Sequence, residues 1–375
     1  MRNQVFPVSH RFWVAVSATV LGTALTACME PQPTPDLPER PSTAFRMTEV
    51  VGGLDAPWSV APLEGGALIT EKSGTLLRLG ANGSLAEVSG LPGDIYYVDD
   101  PQSQAGLFDV VATPNSDRVY ISYAYGTPDA NGTALMRARL SGNGLREVEV
   151  MFRSTPKATN AHYGGKIVVP PDGMPLLTTG DAFVLREAAQ DSANTLGKIV
   201  RVGESGAEIH SLGHRNPQGL AVDRATGEVW QHEHGPRGGD ELNLIQAGGN
   251  YGWPIVTAGV DYNGMRISPF ETSAEAGGGF TDPVHGWTPS IAASGLAIYR
   301  GDLFPDWQGD ALVGALAGES LRRLDMENGE VVGEEILLSD LEARIRDVRE
   351  APDGSVWVLT NEGEGQSRLL SFAPL

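Results

Sequence analysis

The sequence predicts an all-β fold, a six-bladed β-propeller with four-stranded antiparallel blades, and three observations predict it. A unit of Gly- or Asp-bearing turn, alternating apolar strand, turn and second strand occurs six times. The units recur about 50 residues apart, with one interval near 80, a period typical of propeller blades. No convincing amphipathic helix of any length interrupts them, and Gly 47 and Pro 25 suit many short strands joined by turns.

The units run in order: EGGALITEKSGTLLRL (64–79), PNSDRVYISYAY (114–125), PPDGMPLLTTGD (170–181), RATGEVWQHEHG (224–235), FPDWQGDALVGALAGESLRRL (304–324) and APDGSVWVLTNEGEGQSRLLSF (351–372). Alternation within each unit fits a blade, whose two faces pack against neighbouring blades. A two-sheet β-sandwich array is the competing architecture. The long interval covers residues 236–303, between the fourth and fifth units, and an insertion of that size is usually functional. Propellers work at one end of the central channel, on loops leaving the inner strands. That singles out polar residues after the strand patterns: Asp181, the HEHG stretch and NEGEG (361–365).

The formal net charge of −20 argues against a nucleic-acid surface, which needs a basic patch to release phosphate counterions. It favours solubility and raises the odds of a divalent-cation site. At the N-terminus, Arg2 and Arg11 flank a polar start before the apolar run FWVAVSATVLGTAL (12–25), which has signal-peptide length. LTAC (25–28) resembles a bacterial lipobox, making Cys28 the lipidated first residue of the mature chain. Cys28 is the single cysteine, so no internal disulfide can form. The expected organisation is a lipoprotein signal peptide (1–27), a Pro-rich tether (28–45) and a catalytic propeller (46–375). The expected location is the bacterial cell envelope, facing the periplasm. Met29 lacks the aspartate that resembles an inner-membrane retention signal, which favours the outer membrane.

Four stretches carry candidate chemistry. In AHYGGK (161–166), His162 is a natural base near neutral pH, and Asp181, one strand later, could fix its tautomer. A solvated turn histidine is the plainer reading. LGHRNPQGLAVD (212–223) sets Arg215 and Asn216 just before a strand, and the planar guanidinium suits carboxylates or quinone-like oxygens. RIRDVREAPDG (344–354) places Arg344 and Arg346 on one face of an extended segment, fit for a multiply anionic ligand or else merely solvated. HEHGPRGGDE (232–241) suggests zinc through His232 and His234, but the spacing to a third ligand is missing. Its glycine-proline turn, with Asp240 and Glu241, fits Ca²⁺ better, because calcium accepts carbonyl and carboxylate oxygens.

Together, HEHGPRGGDELNLI-x₂-GGNYGWP, LGHRNPQGLAVD, HYGGK, TTGD, TPSIAASGLAIY and RIRDVREAPDG resemble the soluble, PQQ-dependent aldose sugar (glucose/sorbosone) dehydrogenases, over roughly residues 46–373 and in the family's motif order. The resemblance implies a six-bladed propeller that oxidises aldose sugars at C1 and passes electrons to an unidentified acceptor. It implies His162 as general base oriented by Asp181, and Arg215 as a donor to the quinone oxygen. Gln104, Asn216, Arg344 and Arg346 would hold PQQ. Backbone carbonyls of Gly235 and Pro236 would ligate a Ca²⁺ that acts as Lewis acid. Glu241 and Tyr251 would serve a second, structural Ca²⁺, and Trp287 would lie at the substrate mouth.

One departure stands out. Where the family usually reads LFVGALKG, this chain reads ALVGALAG (311–318), so Ala317 replaces a cofactor-contacting lysine. Arg322 and Arg323 are the nearby cations that could compensate. Two other functions compete with sugar oxidation: a calcium-dependent lactonase-like hydrolase, and a non-catalytic binding propeller. Lactone hydrolysis without PQQ would mark the first, and absence of PQQ binding the second.

Overall fold

The computed structural model describes residues 30–375 except 115, so the expected signal peptide and Cys28 lie outside the described residues. Six four-stranded antiparallel sheets form the blades. Blade one holds β2 (Pro57–Leu63), β3 (Gly66–Glu71), β4 (Thr75–Gly80) and β5 (Leu85–Glu87). Blade two holds β6 (Leu107–Ala112), β7 (Arg118–Thr127), β8 (Ala130–Ser141) and β9 (Gly144–Arg153). Blade three holds β10 (Ile167–Val168), β11 (Leu176–Thr179), β12 (Lys198–Gly203) and β13 (Gly206–Leu212). Blade four holds β14 (Pro217–Val222), β15 (Val229–Glu233), β16 (Asp240–Ile245) and β17 (His285–Trp287). Blade five holds β18 (Ala293–Ile298), β19 (Ala311–Ala315), β20 (Ser320–Glu327) and β21 (Glu330–Leu337).

Blade six closes the ring with both ends of the described chain. Its strands β22 (Ile345–Glu350), β23 (Val356–Thr360) and β24 (Ser367–Pro374) are joined at the outer edge by β1 (Phe45–Leu54), which pairs antiparallel with β24. The first strand of each other blade, and β22 in blade six, is innermost. These strands touch in the cyclic order β2, β6, β10, β14, β18, β22 and back to β2. Each of the six sequence units carries residues of the second strand of a blade, so the repeat of the sequence is the repeat of the blades.

Apolar side chains on facing blades interlock. Ala61 and Leu68 of blade one pack with Leu107, Val110 and Ile121 of blade two, and Leu312 and Leu321 of blade five pack with Val348 and Val358 of blade six. Burial of such faces is the main driving force for a ring in which no blade is stable alone. Where the inner strands meet, the core turns ionic. Lys166 donates to Asp347 at 2.8 Å, Arg349 donates to Asp347 at 3.0 Å and to Asp109 at 2.7 Å, and Asp347 also accepts from the Val60 amide at 3.1 Å. Asp109 takes the Ile167 amide at 2.8 Å. Two cations and two carboxylates thus tie blades one, two, three and six around the channel.

The interval 236–303 is not a gap between blades. It contains β16, β17 and β18, and its irregular part is residues 246–284, inserted inside blade four between β16 and β17. The Pro-rich segment expected as a tether is fastened over part of its length. Thr34 donates its amide to Thr288 O at 3.1 Å, Arg40 pairs with Asp325 at 2.6 Å, and Thr43 Oγ1 donates to Glu335 at 3.0 Å.

Candidate active site

Strand direction gathers the site. In an antiparallel blade the start of the inner strand lies beside the end of the second strand, as Pro217 opposite Glu233 and Pro57 opposite Glu71 demonstrate. Gln104, His162, Arg215 and Arg344 all enter inner strands, and Asp181 and Gly235 leave second strands. They therefore share one face of the ring. The functional loops lead into the innermost strands as well as out of the second ones, a refinement of the sequence expectation. NEGEG leaves the second strand of blade six on this same face, and its Asn361 amide donates to Arg344 O at 2.8 Å, but its Glu362 is occupied by Arg368 at 2.7 Å and by Thr360 at 2.6 Å.

His162 is buried, with its Nδ1 2.6 Å from Asp181 Oδ1. Asp181 is itself fixed: its Oδ2 accepts from Trp253 Nε1 at 2.8 Å and its Oδ1 from the Phe183 amide at 2.8 Å. The backbone here is strained, with φ of +53° at His162, +63° at Ala182 and +68° at Phe183, a region costly for side-chain-bearing residues. The glycine of TTGD permits the approach, since a Cβ on Gly180 would lie 2.4 Å from His162 O. Burial pushes the His162 imidazolium down, the bond to Asp181 pushes it up, and the Arg215 charge pushes it down again. The net shift is downward, so His162 is neutral near pH 7. With Nδ1–H given to Asp181, Nε2 is left as the basic atom. Asp181 is raised by burial, but its bond to His162 and the nearby charges lower it overall, keeping it ionised.

Gln104 acts on the same residue, its Oε1 accepting the His162 amide at 2.7 Å. Asn216 Oδ1 accepts the Gly164 amide at 3.2 Å, which joins blade four to the histidine turn. Arg215 donates to the carbonyls of His234 at 2.9 Å and Gly235 at 2.8 Å, and its guanidinium lies 5.4 Å from the Trp253 ring centroid. Arg346 donates to Ser294 Oγ at 3.3 Å, leaving its buried Nε without a partner. Burial and the Arg344 charge push its guanidinium down to about 10. Arg344 donates to Leu316 O at 3.2 Å. Among the described residues no carboxylate pairs with Arg215, Arg344 or Arg346, although Arg322, Arg323 and Arg349 are all so paired. An unmatched, partly desolvated cationic group of this kind fits a multiply anionic ligand.

Several expectations need correction. Arg322 and Arg323 cannot replace a lysine at 317: Arg322 faces Glu334 at 3.1 Å, and Arg323 holds Asp310 and Glu335, each at 2.7 Å. The guanidinium that does reach the 316–317 turn is that of Arg344. Trp287 does not lie at the mouth. It sits on the outermost strand of blade four, donates to Glu334 at 3.2 Å and lines a cavity of about 520 Å³ beneath residues 34–42. The mouth is instead flanked by Phe183, edge-on to His162 at 5.0 Å, and by Tyr262, whose hydroxyl accepts from Arg215 at 3.3 Å. Both are exposed.

His232 and His234 are not a zinc pair. Their Nε2 atoms bond to Gly295 O at 2.9 Å and Ala293 O at 2.7 Å, and burial pushes both imidazoles below their usual range. Among the described residues no three His, Cys, Asp or Glu side chains come together as a ligand set. The Gly235 turn is nevertheless rich in carbonyl oxygen, because a Cβ on Gly235 would meet Gly238 O at 2.2 Å and Gly239 O at 2.4 Å. That donor type fits a hard cation completed by a ligand's own oxygens. Glu241 is partly buried near Glu233, Asp240 and Asp282, and desolvation with these like charges pushes its carboxyl well up. Tyr251 is spent structurally: its hydroxyl bonds to Leu244 O at 2.7 Å and its ring stacks on His214.

Sequence reasoning missed Lys72, Trp253, Phe183 and Tyr262 as residues of the site. Lys72 follows β3 as Asp181 follows β11, so the repeat frame itself could have found it. Burial and the Arg346 charge push its ammonium down, which marks it as part of the same cationic group.

The fold and site define a six-bladed propeller with a proton-accepting His–Asp pair and an anion-holding set of guanidinium groups at one mouth. The profile of the Glucose / Sorbosone dehydrogenase family matches residues 54–371, and the chain belongs to that family. It is 38% identical over 346 residues to the aldose sugar dehydrogenase YliI of Escherichia coli (strain K12), covering 86% of this chain and 91% of that one. The crystal structure of the soluble aldose sugar dehydrogenase from Escherichia coli in the apo-form superposes with a TM-score of 0.80, at 36% identity, over 88% of this chain and 100% of that one. The PQQ-bound form of aldose sugar dehydrogenase from Streptomyces coelicolor superposes with a TM-score of 0.69, at 28% identity, over 89% and 99% of the two chains.

Proposed function

We propose that this protein is a PQQ- and calcium-dependent dehydrogenase that oxidises aldose sugars at C1 to the lactone. The observation that carries this reading is the 2.6 Å His162–Asp181 pair placed beside cations that no carboxylate neutralises. The PQQ-bound relative and the aldose sugar dehydrogenase of 38% identity support the choice of cofactor and substrate. Arg215, Arg344, Arg346 and Lys72 are the groups that would hold the cofactor's anionic oxygens. The carbonyls of Gly235 and Pro236 would present a Ca²⁺ to it, and Glu241 with the Tyr251 backbone would serve a second ion. PQQ, when bound, supplies a quinone that accepts a hydride.

Each residue then has a defined task. His162 Nε2 takes the proton from the sugar's C1 hydroxyl, while Asp181 holds the ring in the tautomer that leaves this atom free. Positive charge on the imidazole is balanced by Asp181 at the moment it forms. Arg215 would hold a cofactor oxygen and supply positive charge there when the cofactor is bound. Phe183 and Tyr262 give the sugar an aromatic rim and limit water at the mouth. The lipobox-like LTAC (25–28) supports attachment of the mature chain through Cys28 to a membrane of the cell envelope, with electrons delivered to an acceptor there.

Purified apoprotein reconstituted with PQQ and Ca²⁺ will reduce an artificial dye when given an aldose, and will lose activity on chelation. Absence of dye reduction across a broad panel of aldoses and simple alcohols would overturn the assignment.

A further inference from the structure

Lys157 is buried, only 4% exposed, and among the described residues no carboxylate forms an ion pair with it. Its Nζ donates to Thr159 O at 2.5 Å and to Asn131 Oδ1 at 3.2 Å, and stands 3.5 Å from the centroid of the Tyr163 ring. Backbone bonds in both directions, at 2.7 and 2.8 Å, fasten Lys157 to Asn131 at the start of β8. Asn131 Oδ1 also accepts the Tyr163 hydroxyl at 2.6 Å, and Thr159 Oγ1 donates to Ala182 O at 2.9 Å. The ammonium is therefore the hub of a knot whose arms end on Tyr163, next to His162, and on Ala182, next to Asp181.

A lysine is an expensive way to fill this space. Burial pushes its ammonium down to about 7, and only the charge of Asp181 acts to raise it. A buried cation that costs folding energy is retained where it performs a task. Here the task is geometric. His162, Ala182 and Phe183 are all held at positive φ, and such backbone persists only where surrounding bonds over-determine it.

We propose that Lys157 is a positioning residue for the His162–Asp181 pair, clamping the histidine loop to the aspartate loop through Thr159 and Asn131. The inference rests on the reading of His162 as base. The titratable groups facing this interior are Asp181, His162, Tyr163 and Tyr96, and the Arg215 charge also acts on His162. The Lys157 charge disfavours a second positive charge on His162, so it also helps keep the imidazole neutral.

The test uses Lys157→Met, Lys157→Arg and Thr159→Val in the reconstituted enzyme, together with NMR titration of the His162 imidazole in each apoprotein. Lys157→Met is expected to lower kcat about 10- to 100-fold, as small misplacements of a reacting group do, with KM little changed. It should also move the His162 titration to higher pH, and Lys157→Arg should restore part of both effects. A folded Lys157→Met protein with wild-type kcat and an unmoved His162 titration overturns the proposal. Should Lys157→Met fail to fold, Thr159→Val removes the hydroxyl that links to Ala182 O and that Lys157 Nζ approaches at 3.5 Å, while the Lys157 bond to the Thr159 carbonyl stays. Lowered kcat then supports the clamp, and unchanged kcat overturns it. His162→Ala separates the two readings: retained turnover there would sink the base assignment, while the His162 titration in the Lys157 variants still reports on the clamp.

Discussion

Asp181 Oδ1 lies 2.6 Å from His162 Nδ1, and the other oxygen of the same carboxylate is held by Trp253 Nε1 at 2.8 Å. The carboxylate cannot rotate without breaking a bond, so the ring it orients is fixed as well. Asp181→Asn keeps the shape but can present its amide N–H to Nδ1, which would force the proton onto Nε2 and remove the base. The expected result is a fall in kcat on the order of 10³- to 10⁴-fold, the scale seen when an orienting aspartate is replaced in a His-based site. Steady-state kinetics of the reconstituted variant measures it, and thermal unfolding checks that the fold survives.

The pH dependence follows from the same pair. Catalysis needs neutral His162, and the net effect of burial, Asp181 and Arg215 is to lower its pKa from 6.5. The neutral form therefore accumulates as pH rises through a value below 6.5, and kcat/KM will keep its plateau into mildly acidic solution. Asp181 is among the influences that raise the histidine, so its loss displaces the titration further down. A pH profile whose acid limb lies above 6.5 would contradict this account of the site.

Arg346 carries the clearest signal of a missing anion: a buried Nε without a partner, and close positive charge from Arg344. Arg346→Met should weaken PQQ binding by about 1.5–3 kcal/mol, the usual value of a hydrogen bond to a charged group, or roughly 10- to 150-fold in Kd. Lys72→Met should act in the same direction and less strongly, because the Lys72 ammonium also donates to Ser103 O. Absorbance titration of the apoprotein reads both, and the wild-type affinity should decline with added salt.

The fold was legible because a blade repeats its pattern whatever its neighbours do. The apolar runs ALI (67–69) and VWVL (356–359) report strands covered on both faces, and this survives without knowledge of the ring. The site was legible where chemistry is carried by residue type and motif together, as with His162, Asp181 and Arg215. It was not legible where position depends on the ring's closure. Trp287 looks like a mouth residue in sequence, yet blade order places it on the outermost strand beside Glu334. Lys72 comes from blade one and Arg346 from blade six, and only closure brings the two charges together. The same holds for Arg322 and Arg323, whose acidic partners, Glu334, Glu335 and Asp310, belong to their own blade.

The correction at Trp287 can be tested directly. Trp287→Phe removes the indole bond to Glu334 and leaves the mouth untouched. Stability should fall by about 1 kcal/mol, the net value of one hydrogen bond, while sugar KM stays unchanged. Tyr262→Ala should do the opposite, raising KM without lowering the unfolding midpoint, since the Tyr262 ring is exposed.

The ionic core makes the strongest stability prediction. Asp347 is fully buried between Lys166 and Arg349, and burial raises its carboxyl while those two cations lower it further, leaving the net shift downward. Its contribution is therefore present above the ordinary aspartate range and is lost only as pH falls through its depressed value. Asp347→Asn removes that contribution at every pH. It leaves Lys166 against the Trp58 ring, 4.4 Å away, and Arg349 with Asp109 as its remaining carboxylate, beside its bonds to Ser59 Oγ and Val60 O. Breaking one partner out of a buried ion pair costs about 3–5 kcal/mol, and denaturant unfolding should register a loss of that size. Replacing Lys166 by Met in the same chain removes the stranded charge, so the double variant should recover part of the loss. If the single and double variants unfold alike, the four groups do not act as the staple between blades one, two, three and six.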